Sequence, residues 1–143
     1  MPDQSAIRAA LDIGPTASAQ ARTVDITTTG AKSGDSRRIE IWFHQMDGRW
    51  YITGTPPRPR AWYTNLQNNP HFTFSLKHGL QADLSATARP ITDAQERRTV
   101  FQGLIDGLTD PSITAILTEI PPLDDWVTYS PLVEVSFDDF APR

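Results

Sequence analysis

Residues Arg37 to Thr55 constrain this chain more than any other stretch. From Arg37 to Gln45 the side chains alternate: Ile39, Ile41 and Phe43 to one side, Glu40, Trp42 and His44 to the other. That two-residue period is a strand's. Asp47-Gly48 follows, a pair that tolerates the positive φ required at both centres of a type I′ turn. Arg49 to Thr55 then returns as the partner strand. A tight hairpin joins antiparallel neighbours only, so the chain is committed to an antiparallel sheet. One face of the hairpin carries Trp42 and His44, which solvent disfavours, so another element is expected to cover it.

The flanking segments extend the sheet. Arg22 to Thr29 is rich in β-branched residues and reads as a strand. His71 to Lys77 alternates through Phe72, Phe74 and Leu76, and Leu80 to Arg89 through Leu80, Ala82, Leu84 and Ala86. Leu132 to Phe137 alternates as a last strand. Helical spacing appears at Gln4 to Ile13, stopped by Gly14-Pro15, and at Ala61 to Gln67, ended by Asn68-Asn69-Pro70. A longer helix follows Thr92, whose hydroxyl together with Gln95 suits a capping box, with Val100, Phe101, Leu104, Ile105 and Leu108 as its apolar stripe. Asp110 to Glu119 is expected to form a second short helix before Pro121-Pro122. Strands joined by short connections predict a mainly β chain, an antiparallel barrel with helices across its ends.

The 143 residues suit one domain, with an N-terminal helix within residues 1–14 and a barrel with inserted helices over 22–138. A net charge of −4 argues against a general nucleic-acid binder. No apolar run approaches the length of a membrane span, and no basic start precedes an apolar stretch, so a cytoplasmic protein is expected. With no cysteine, thiolate catalysis and cysteine-held metals are excluded. His44, His71 and His78 pair at no helical metal spacing, so no metal site is expected. There is no G-x-S-x-G elbow and no G-x-G-x-x-G after a strand. Asp124-Asp125 and Asp138-Asp139 point apart within each pair and read as solvated charges. Arg97-Arg98 reads as the wet face of its helix.

Two stretches carry chemistry. The first, TTTGAKSGDSRR from Thr27 to Arg38, joins glycines, hydroxyls and the cations Lys32, Arg37 and Arg38 between two strands. Free backbone, hydrogen-bond donors and charge suit an anion, although a plain polar turn has the same composition. The second, PRPRAWYTN from Arg58 to Asn65, combines Arg58 and Arg60 with a helix start and the aromatic pair Trp62 and Tyr63. A helix start suits a phosphate and aromatic rings suit a flat ring system, whereas a core or interface role explains Trp62 equally well.

These stretches resemble the deazaflavin-dependent nitroreductase family of the flavin-binding split-barrel superfamily. The matching motifs are TTTGAKSGDSRRIEIWF, DGRWYITGT, PRAWYTNLQNNPHFTF and ATARPITDAQERR, in order and at matching spacing from about Val24 to Leu108. The resemblance implies a six-stranded antiparallel Greek-key split β-barrel, commonly a homodimer. It implies the reduced deazaflavin coenzyme F420 as cofactor, with FMN used by cousins, and hydride transfer to a quinone, nitro compound or activated enone. Lys32, Ser33 and Arg37 fall on the phosphate-contacting loop, with Arg38 adjacent. Arg60, Ala61, Trp62 and Tyr63 fall on the segment along the phosphate and the deazaflavin ring. Asn65 and Asn68 belong to the same motif and shape its turn. Two departures stand out: Ala31 replaces the family's usual arginine, and Thr55-Pro56-Pro57-Arg58 replaces a glycine-rich turn.

A cofactor-borne hydride needs no acid/base dyad. A donor to the acceptor oxygen would suffice, and Tyr63, Tyr129 and His44 are the candidates; Trp126 and Tyr129 are candidates to line the acceptor pocket. The competing readings are an FMN-dependent reductase on the same barrel, and a split-barrel protein that binds a cofactor or small ligand without turnover.

Overall fold

The computed structural model describes residues 3–140. Residues 1, 2 and 141–143, the ends of the expected 1–143 domain, lie outside them. The elements run α1 (Gln4–Leu11), α2 (Ala19–Arg22), β1 (Thr23–Thr29), β2 (Ser36–Met46), β3 (Arg49–Thr53), α3 (Ala61–Asn68), β4 (His71–Leu76), β5 (Ala82–Pro90), α4 (Ala94–Asp106), α5 (Pro111–Thr114), α6 (Leu123–Tyr129) and β6 (Leu132–Phe137).

The six strands close into a barrel of order β1-β2-β3-β6-β5-β4, every pair antiparallel. β4 returns to lie beside β1, which makes β4-β1-β2-β3 a Greek key. The expected hairpin is present with its turn: Asp47 and Gly48 take φ of 53° and 76°. Trp50 faces Gln45 across it and Ile52 faces Phe43.

The barrel interior is filled by alternate residues of all six strands, Val24, Ile26, Phe43, Ile52, Phe74 and Val135 among them. A run of edge-to-face rings crosses it: Phe43 to Phe74 at 5.1 Å, Phe74 to Phe137 at 4.9 Å, and Phe137 to Trp50 at 5.0 Å between centroids. Such pairs add stabilisation beyond their buried area. Trp50 also gives its indole N–H to the Leu11 carbonyl at 3.0 Å, which fixes the end of α1 on the barrel.

A second apolar layer covers the outer wall. Tyr51 and Leu132 pack with Ile91, Val100, Phe101, Leu104 and Trp126, so α4 and α6 clasp β3 and β6. This is the cover that the Trp42 and His44 face required. α4 approaches β2 closely because Gly103 has no side chain: a Cβ there would stand 1.9 Å from Met46 Sδ.

Four local expectations differ from the structure. The α4 cap is Asp93, whose carboxylate accepts from the Glu96 N–H, one residue beyond Thr92. The helix expected over Asp110 to Glu119 shortens to Pro111–Thr114. α6 was not expected; the signals were Pro122 at its N-cap and Asp124 and Asp125 in its first turn. Arg97 is not on a wet face: it is buried, and its guanidinium donates to the carbonyls of Ile91, Trp126, Val127 and Ser130. Arg98 does face solvent and pairs with Asp124 at 2.7 Å.

Arg97 therefore ties the start of α4 to the C-terminal end of α6. Arg97→Met leaves four carbonyls without their donor and should cost about 2–4 kcal/mol in chemical denaturation. Arg98→Met should cost less than about 0.5 kcal/mol in the same measurement, because its ion pair is exposed.

Candidate functional site

The loop between β1 and β2 folds back on itself. Gly30 N–H donates to the Asp35 carbonyl at 2.8 Å and Gly34 N–H to the Gly30 carbonyl at 2.9 Å. Gly34 takes φ of 74°, the left-handed region that glycine enters freely. A Cβ on Gly30 would come within 2.8 Å of Ser33 Oγ and 3.3 Å of the Asp35 carbonyl, so the turn packs closely there. The loop is held to α3 by Asn65, which is buried. Its Oδ1 accepts from the Ala31 N–H at 3.0 Å and its Nδ2 donates to Thr28 Oγ1 at 3.1 Å. Asn65 thus does more than shape a turn: it couples the two stretches that the sequence singled out.

Between them lies a cleft of about 460 Å³ lined by Lys32, Ser33, Arg37, Ile39, Ala61 and Trp62, with Thr28, Gly30, Ala31, Thr64 and Asn65 completing it. Five of the sequence candidates, Lys32, Ser33, Arg37, Ala61 and Trp62, therefore meet. Trp62 combines its two readings, being 6% exposed within the core cluster and a wall of this cleft.

Three candidates lie elsewhere. Arg38, one residue on from Arg37 along β2, points to the other face and pairs with Asp25 at 2.9 Å. Asp25 also binds Lys77 at 2.8 Å, and its carboxyl is held below the ordinary range by Lys77 first and Arg38 after it. Arg60 and Tyr63 line a second cleft of about 370 Å³, together with Tyr129, Arg97 and Ser130. Thr64 lines both clefts, and the Trp62 and Tyr63 rings meet at 5.9 Å and 81°, so the N-terminal turn of α3 forms the divide. The Arg60 guanidinium donates to Thr55 O at 3.1 Å and Thr55 Oγ1 at 3.3 Å.

Charge compensation separates these cations from the rest. Among the described residues, ion pairs engage Arg8, Arg38, Arg49, Lys77, Arg89 and Arg98, whereas Lys32, Arg37, Arg58 and Arg60 have no carboxylate within ion-pair distance. Arg60 lacks a side-chain cap role at the start of α3, and the first free N–H groups there belong to Ala61 and Trp62, both on the cleft wall. Uncompensated cations beside a helix start are the charge pattern that an anion favours. Ala31 narrows it: its side chain brings no charge, and its N–H is already taken by Asn65. Among the described residues no cluster of His, Asp or Glu is placed to hold a metal ion.

The three candidate donors do not converge. Tyr63 and Tyr129 share the second cleft. His44, on β2, lines neither cleft; it is buried, and its Nδ1 accepts from Arg22 at 2.9 Å. Burial, with the Arg22 charge adding to it, pushes the imidazole down to about 3, so the ring is neutral. Arg22 is itself buried and donates to the carbonyls of Ala17 and Pro15.

The profile of the F420H(2)-dependent quinone reductase family matches residues 8–110. No curated protein sequence matches significantly. Solved structures share the fold. An F420 reductase superposes with a TM-score of 0.59 at 17% identity, covering 100% of each chain. An F420-H2 dependent reductase gives 0.52 at 22%, covering 80% of this chain and 94% of its own. A conserved hypothetical protein from Mycobacterium tuberculosis gives 0.62 at 14%, covering 96% and 82%.

The titration of His44 has a measurable consequence. An unfolded histidine binds a proton near pH 6.5, the folded one only near pH 3, so the unfolded chain takes up protons first as pH falls. Stability should decline below about pH 6.5, by up to about 1.4 kcal/mol per pH unit. Denaturation midpoints at pH 7 and pH 5 check this. His44→Gln should flatten the difference, because the held-down carboxylates Asp25 and Glu96 titrate at lower pH.

Proposed function

The chain belongs to the F420H(2)-dependent quinone reductase family, and from that membership we propose that this oxidoreductase passes a hydride from reduced F420 to a quinone, nitro or activated enone acceptor. The observation that carries the reading is the set of uncompensated cations at the cleft between the β1–β2 loop and α3. A phosphate-bearing cofactor meets there what its charge requires: Lys32 and Arg37 as cations, the Ser33 hydroxyl, and the free N–H groups of Ala61 and Trp62. Trp62 gives an apolar wall against which a flat ring system lies.

The residues present fit the coenzyme, which when bound supplies the hydride. The work of the protein is then positional and electrostatic. Lys32, Ser33 and Arg37 anchor the phosphate, and Ala61 and Trp62 orient the ring. Arg58 and Arg60, on the connector before α3, offer charge to an acidic tail in place of the cation missing at Ala31. Tyr63 and Tyr129 face the neighbouring cleft, where a phenol O–H can donate to an acceptor oxygen as negative charge develops on it. Their common cleft, partly walled by Arg60, supports these two over His44 for that task.

The same reading takes the chain as a single-domain cytoplasmic homodimer. Among the described residues no helix is long and apolar enough to cross a membrane. The first half of β2, Ser36 to Glu40, is exposed and pairs on one side only, with β1, which leaves an edge open to a second copy.

Fluorescence titration with reduced F420, oxidised F420 and FMN tests the proposal. F420 should bind, and Lys32→Ala and Arg37→Ala should each weaken it roughly tenfold or more, with less effect as salt rises. Arg38→Ala should leave binding nearly unchanged. Binding of FMN alone would replace the cofactor assignment, and F420 binding that survives the Lys32→Ala, Arg37→Ala double change would remove the anchor from this loop. A quinone panel under single-turnover conditions then reads hydride transfer.

A further inference from the structure

A separate cavity lies on the outer wall of the barrel, between β2 and β3 on one side and α4 and α6 on the other. Its volume is about 170 Å³, and Trp42, Phe101, Leu104, Leu108 and Trp126 dominate its lining. It shares no lining residue with the cationic cleft. A dry, apolar cavity of about 150 Å³ is enough to hold benzene, so this one suits a single aromatic ring with a small substituent.

One titratable group interrupts the largely apolar lining. His44 is 6% exposed and lines the cavity. A guanidinium has donors only, so the contact at 2.9 Å makes Nδ1 the acceptor and leaves it without a proton. In a neutral ring the proton then sits on Nε2. Among the described residues nothing accepts from that N–H, and Nε2 is not one of the fully occluded unpartnered atoms. The other polar groups on the buried lining are engaged: Thr53 Oγ1 donates to the Pro131 carbonyl, and Trp126 Nε1 donates to Pro121 O at 3.0 Å. That N–H faces the cavity with no protein acceptor among the described residues, so a ligand oxygen seated there can accept from it. Arg22 fixes the tautomer, since its own position is set by the Pro15 and Ala17 carbonyls.

We propose that this cavity binds a single-ring aromatic carbonyl compound, its ring among Trp42, Phe101 and Trp126 and its oxygen accepting from His44 Nε2–H. The cavity excludes charged groups, so a carboxylate on the same ring is rejected. The site stands independently of F420 binding, and the ligand need not be the hydride acceptor.

Acetophenone, with α-methylstyrene as its isostere lacking the oxygen, tests this by calorimetry and by the imidazole 15N resonances of His44 in the full chain without cofactor. Free protein should show the Nε2–H tautomer, and acetophenone should bind and shift Nε2 more than Nδ1. His44→Leu should weaken acetophenone roughly tenfold while changing α-methylstyrene less than about threefold. Ile105→Trp changes neither His44 nor Arg22, should fill the cavity and should abolish both ligands, which keeps the test decisive if His44→Leu fails to fold. No acetophenone binding, an Nδ1–H tautomer, binding without a shift at His44, or binding that survives Ile105→Trp overturns the proposal. Failure of F420 to bind would leave it standing.

Discussion

Edge-to-face contact among Phe43, Phe74, Phe137 and Trp50 holds the barrel as one body. These rings come from β2, β4, β6 and β3, so strands distant in sequence share one packed line through the interior. Backbone ladders alone would tolerate slippage, whereas a one-residue shift in any of these strands would turn its ring out of the barrel. The register fixed in this way decides everything on the surface. It places Arg37 toward the cleft and Arg38 toward Asp25, and it sends Trp42 and His44 to the outer wall under α4.

From that frame the cationic cleft follows with few additional parts. β1 and β2 deliver the ends of the Gly30 to Ser36 loop, α3 stands beside it, and Asn65 bolts the two together through Ala31 and Thr28. None of the cleft's cations has a carboxylate partner, although the chain is acidic overall. Acidic groups are spent elsewhere: Asp25 on Arg38 and Lys77, Glu134 on Arg49 and Arg89. A negatively charged protein thereby keeps one locally positive surface.

The barrel was legible in the sequence because its strands alternate strongly and its central turn needs two residues with positive φ. The β1–β2 loop stood out in the sequence because it joins glycines, hydroxyls and cations, a composition shared with a plain polar turn, and the family resemblance supplied the order of its parts. Other features depend on non-local partners. Arg97 and Arg98 are identical as letters; only the carbonyls at Ile91 and on α6 make one a buried clamp and leave the other wet. Arg38 and Arg37 differ by which side of a pleat they occupy relative to Asp25 and the loop. Asn65 looked like a turn residue because its partners are 34 and 37 positions away. α6 is only seven residues long, too short for periodicity to show.

At Gly103 the helical layer approaches the barrel closely, with no side chain of its own between it and Met46. α4 and α6 contribute nothing to the strand ladders; they rest on the wall through that gap, the apolar layer and Arg97. Sequence drift in their remaining positions leaves the ladders and the cationic loop intact, yet reshapes the ceiling of the outer cavity. The architecture thus separates the strand ladders and the β1–β2 loop, which do not rest on α4 and α6, from a helical layer that shapes the outer cavity.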